Sequence, residues 1–143
     1  PAVRATWAAQ QAAGQPWREV YSKHARLERY AGTPATAAGD RAPAGMPLEV
    51  AVVGEAPVVG APVTLQAWRA GQPATGLALQ LLNDGAPAGL WVRTDDQGQA
   101  RVRLPLPGPW LVRGTELTPP ARPGAPWIGR FVTLAFEPLA AAP

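Results

Sequence analysis

Apolar residues recur along the chain in short runs that alternate with polar ones, and Pro or Gly interrupts the runs roughly every dozen residues. Period-two patterning with this punctuation predicts strands, because successive strand side chains point to opposite faces while helices need longer uninterrupted segments. Seven strands are predicted, near 47–53, 62–69, 76–82, 88–94, 100–105, 109–116 and 127–137. Val63, Leu65 and Ala67 share one face, as do Leu77, Leu79 and Leu81, and Ala100, Val102 and Leu104, so these are the expected core residues. The expectation is an all-β fold, an Ig-like or transthyretin-like antiparallel β-sandwich spanning residues 47–138, with 139–143 as a tail.

Residues 1–46 read as an irregular, Ala/Gly/Pro-rich N-terminal extension with one denser segment, WREVYSKHARLERY, at 17–30. Trp17, Val20, Tyr21, His24 and Leu27 fit one helical face, whereas Tyr21, Ala25 and Leu27 suit an edge strand; a helical turn leading into a strand is the favoured reading. Residues 31–45 form a small-residue linker. Residues 1–16, 31–46 and 118–126 carry too little apolar mass to order alone and are expected to need a partner.

The segment Leu90–Leu104, LWVRTDDQGQARVRL, holds two alternating runs joined by Asp95-Asp96-Gln97-Gly98, a turn in which Asp side chains cap backbone groups and Gly98 takes a positive φ. As a hairpin it sets Val92 across from Val102, Arg93 beside Arg101, and Trp91 beside Arg103 as a cation–π pair. Arg113 on the next strand has the same parity, so Trp91, Arg93, Arg101, Arg103 and Arg113 form the expected partner-binding face. An acidic partner surface would relieve the repulsion between the arginines; an ordinary solvated face is the competing reading.

The 13 basic residues comprise 12 Arg and Lys23, against 10 acids, with no basic run and six Trp not interleaved with basic positions, which argues against nucleic acid. The absence of Cys removes disulfides, thiolate metal sites and cysteine nucleophiles. His24 is the sole His, no Gly-X-Ser-X-Gly elbow accompanies it, and Asp95 and Asp96 read as turn formers, so catalysis is not expected. Neither a Walker loop nor a GxGxxG motif occurs. No stretch is apolar for long enough to span a bilayer. A third reading is a hydrolase or sugar-binding enzyme in which several surface Trp stack on sugars, a reading that buried Trp would remove.

The ordered segments EVYSKHARLERYAG (19–32), GMPLEVAV (45–52), TDDQGQARVRL (94–104), GPWLVRGTEL (108–117) and RFVTLAFEP (130–138) bring in a family likeness. Over about residues 17–138 the chain resembles the bacterial periplasmic domain family named after nickel-uptake (NikM-like) proteins. The resemblance implies an exported β-sandwich, sometimes linked with metal uptake, with no established site residues to carry over. Family members often have His near the mature N-terminus, and PAVRATW has none. The start at Pro1, with no initiator Met, is read together with this as a signal peptide removed, giving a periplasmic location. The expected function is a non-catalytic periplasmic binding or interaction module, an accessory subunit of a larger envelope or membrane-embedded protein assembly. It needs no cofactor. The alternative is a metal-binding accessory for nickel or another divalent transition metal, with His24 and Glu19 as ligands.

Overall fold

A computed structural model describes residues 2–31 and 42–141. The elements are α1 (Ala2–Ala12), β1 (Glu19–Glu28), β2 (Leu48–Val53), β3 (Pro62–Arg69), β4 (Gln72–Pro73), β5 (Ala78–Asn83), β6 (Ala86–Arg93), β7 (Gln99–Arg103), β8 (Trp110–Thr118) and β9 (Trp127–Phe136). The protein is an all-β sandwich. One sheet has five strands in the order β1-β9-β8-β5-β6; in the other, β3 pairs with β2 along one edge, and β4 and β7 complete the four strands. Among the described residues there are nine strands where seven were expected, the additions being β1 and the two-residue β4. Neighbouring strands pair antiparallel, as expected, except β1 and β9, which run parallel from Glu19↔Trp127 to Glu28↔Phe136.

The predicted inward residues do form the core. Val63, Leu65, Ala67, Leu77, Leu79, Leu81 and Leu104 join Leu48, Val50, Val52, Trp110, Val112, Val132, Leu134 and Phe136 in one buried cluster between the sheets. Burying a side chain of this size contributes about 1.5–3 kcal/mol. Gly114 on β8 faces inward where an added Cβ would lie 2.9 Å from Leu79 Cδ2 and 3.2 Å from Val132 Cγ1, so the central strand can approach its neighbours only without a side chain there. At one end of the sandwich Glu116 joins the sheets, accepting hydrogen bonds from Arg69 Nε of β3 at 2.5 Å and from Arg130 Nη1 of β9 at 3.3 Å.

The expected hairpin over Leu90–Leu104 does not form. β6 pairs with β5, Val92 opposite Leu79, whereas β7 pairs with β3 in the other sheet, Val102 opposite Val63. The turn between them is a corner at which the chain changes sheets. Its local chemistry follows the sequence: Asp95 Oδ1 accepts from Gln97 N at 2.9 Å and Gln99 N at 2.8 Å, and Gly98 has φ +74°. The corner is tied to both sheets, because Thr94 N donates to Leu77 O while Ala67 N donates to Gly98 O. Alternation places Val92 and Val102 on inward faces equally well whether the runs lie side by side or face each other across a core, and pairing with β5 and β3 gives the second arrangement.

The segment at 17–30 contains no helical turn; Glu19–Glu28 is an edge strand of the five-stranded sheet, so the sandwich begins well before residue 47. One face of β1 carries Ser22, His24, Arg26 and Glu28, each half-buried or buried, in place of apolar residues. Arg26 Nη2 donates to Glu49 Oε2 at 3.2 Å. Glu49 is completely buried and also accepts from the backbone N–H groups of Ala44, Gly45 and Met46 at 2.7–2.9 Å. Glu28 Oε2 accepts from Val52 N at 3.4 Å, and the Tyr30 hydroxyl donates to the same carboxylate. Polar pairing thus takes the place of apolar packing where β1 meets β2.

Residues 2–12 of the extension expected to be irregular form a helix, consistent with a run rich in Ala and carrying two Gln and one Arg, all strong helix formers. Gly14 (φ +64°) ends it, with Gln15 N donating to Gln10 O and Gly14 N to Gln11 O, both at 3.0 Å. Trp7 meets Trp17 edge-on at 5.2 Å, Trp17 stacks on Trp127 at 5.0 Å, and Trp127 Nε1 donates to Gln10 Oε1 at 2.6 Å. These contacts dock the helix on the sheet. The tail is also engaged, since Leu139 forms a parallel bridge with Val58. Most of the predicted 31–45 linker, residues 32–41, lies outside the described residues.

Candidate binding face

The outward positions of the five-stranded sheet line up across all its strands. Register sets Ala25 of β1, Thr133 of β9, Arg113 of β8, Gln80 of β5 and Trp91 of β6 in one row. The adjacent row holds Lys23, Phe131 and Thr115, with Ala78 and Arg93 paired at its other end. All of these residues except Arg93 line a groove of about 820 Å³. No Asp or Glu is among its lining residues, while Lys23 and Arg113 are.

Each side chain is held differently. Gln80, almost fully buried between its outward neighbours, accepts a hydrogen bond from Arg113 Nε at 2.8 Å and so fixes the guanidinium on the sheet surface. Trp91 is 66 % exposed and stacks on no aromatic ring among the described residues. Phe131 meets Tyr21 edge-on at 6.1 Å, and Lys23 Nζ lies 5.6 Å from the centre of the Tyr21 ring. Arg93 at the groove's end donates to Gly76 O. Tyr21, Leu27 and Leu111 extend the exposed apolar surface on the same side of the sheet.

The five residues predicted as one face are thereby divided. Trp91, Arg93 and Arg113 share the outer surface of the five-stranded sheet, whereas Arg101, opposite Thr64, and Arg103, opposite Pro62, belong to the other sheet. Arg103 donates to Gly60 O and does not meet Trp91, and Arg93 does not face Arg101, because β6 and β7 are not neighbours in one sheet. Sequence reasoning missed Gln80, Thr115, Phe131, Thr133 and Lys23. Gln80 was legible as the polar residue between Leu79 and Leu81, which were read as core; the others lie in segments for which no core face was assigned, and joining them requires knowing that β1, β9, β8, β5 and β6 are adjacent.

The two residues of the metal alternative are not brought together. Glu19 and His24 are five positions apart on one strand and so occupy opposite faces; Glu19 lies over Gly129 and accepts from Trp17 Nε1 at 3.3 Å, while His24 Nε2 hydrogen bonds with Ser22 Oγ at 2.9 Å. Among the described residues no group of three or more His, Cys, Asp or Glu is placed to hold a metal ion. No helix among the described residues is long and apolar enough to cross a membrane. Comparison with protein-family models, with curated proteins and with solved structures found no match.

Proposed function

We propose that this chain is a non-catalytic binding module that takes its partner on the outer face of the five-stranded sheet. The observation that carries this reading is the groove itself: an exposed indole, Trp91, and a guanidinium fixed by Gln80 border a cavity of about 820 Å³ with no acidic lining residue. Binding sites combine apolar contact surface with a few oriented polar groups, and Trp, Tyr and Arg concentrate binding energy at interfaces. Assignment of the sandwich to the Ig-like or transthyretin-like kind, a periplasmic location and membership of a larger envelope assembly belong to the same proposal and rest on strand patterning and family resemblance.

A photo-crosslinking amino acid placed at position 91 in the native host, with position 101 on the other sheet as the control, tests the reading. Adducts at 91 and none at 101 are expected. Equal labelling of both positions, or none at either, removes it.

A further inference from the structure

Resting on that binding-face reading, we infer that the ligand is an acidic saccharide, an extended chain of sugar rings carrying carboxylates. The groove crosses five strands, and at about 4.8 Å between neighbours the distance from β6 to β1 is roughly 19 Å, long enough for an extended chain and far too long for one small anion. Its composition matches the three chemical features of such a chain. Trp91 offers an apolar ring face on which the C–H face of a pyranose can lie. Thr115 and Thr133 supply hydroxyl groups for sugar hydroxyls.

The charges are arranged for carboxylates. Arg113 commits Nε to Gln80, which leaves its two terminal amino groups as a fork toward solvent, the geometry that takes a carboxylate through paired hydrogen bonds. Lys23 stands at the far side of the groove, and no acid in the lining offsets either cation. Single-stranded nucleic acid fits less well, because successive bases require successive open aromatic platforms and Phe131 is already engaged edge-on by Tyr21. An oligomer of acidic residues would satisfy the cations but brings no ring face to lie on Trp91. Trp7, Trp17, Trp68, Trp110 and Trp127 are buried or packed and take no part; the saccharide reading stands on Trp91 alone among the indoles.

Calorimetric titration with short oligogalacturonate decides the matter, with a neutral cello-oligosaccharide, an oligoglutamate and an oligothymidylate as comparison ligands. Oligogalacturonate is expected to bind, more weakly as salt is raised, with at least about a tenfold loss in W91A and in R113Q and no change in R101Q. Thermal melts confirm that each exposed-site variant is folded, and K23Q provides an independent variant on the other side of the groove. Equal binding of the neutral sugar, tighter binding of the glutamate or thymidylate oligomer, or unchanged affinity in all three groove variants overturns the saccharide assignment. Failure of oligogalacturonate to bind while crosslinks at position 91 persist overturns the assignment and leaves the binding face intact; loss of the crosslinks as well removes both.

Discussion

At the scale of single residues, the fold depends on polar groups placed where an apolar residue would be the default. Glu49 is buried yet fully engaged, by Arg26 and by three consecutive backbone N–H groups. Glu49→Ala is expected to cost about 3 kcal/mol, read as a lower urea midpoint with an unchanged slope, because it leaves Arg26 without its partner and three donors without an acceptor. Little of this was legible beforehand. A Glu between Leu48 and Val50 reads as the solvent-facing member of an alternating strand, and only the return of Ala44–Met46 over it supplies the donors that let it be buried. The same limit hid Gln80, whose neighbours Leu79 and Leu81 declared the strand but not the arginine it would hold.

Elements were legible in proportion to how local their cause is. Strands with apolar residues at every second position, such as β3 and β5, were found close to their observed limits because alternation alone specifies them. β1 was ambiguous, since its less exposed face is Ser22, His24, Arg26 and Glu28, and its strand identity comes from ten residues of parallel pairing with β9, over a hundred positions later in sequence. Helix α1 was missed for a related reason: it buries no residue, and a helix this short is marginal on propensity alone. What holds it is the edge contact of Trp7 with Trp17, the stacking of Trp17 on Trp127 and the bond from Trp127 to Gln10. Trp17→Ala is accordingly expected to remove the helical far-ultraviolet dichroism while the strand signal and the main thermal transition persist. A helical signal that survives would place the docking elsewhere.

For the molecule as a whole, the decisive unit is the corner at Asp95–Gly98. It converts what alternation presents as one hairpin into a crossing between sheets, and so determines that Arg93 and Arg113 share a surface while Arg101 and Arg103 occupy the opposite one. Gly98 is the residue that permits it, with φ +74° and an added Cβ that would lie 2.6 Å from Ala67 O and 2.9 Å from Ala74 N, both backbone atoms. Gly98→Ala is expected to destabilise by at least about 2 kcal/mol, combining left-handed strain with a clash that no rotamer change relieves. Chemical denaturation measures this directly, and a change below about 0.5 kcal/mol, the range of ordinary surface substitutions, would mean that the corner yields easily.

The contact between Glu28 and Val52 N has a consequence for behaviour at high concentration. Among the described residues β2 is paired with β3 on one side, and the buried Val52 N on its other side meets Glu28 and no further strand. A carboxylate delivered from the opposite sheet occupies that donor, so a strand added here would first have to displace Glu28 from its contacts with Arg26 and Tyr30. In this sandwich, part of the protection against polymerisation is therefore supplied by a single side chain.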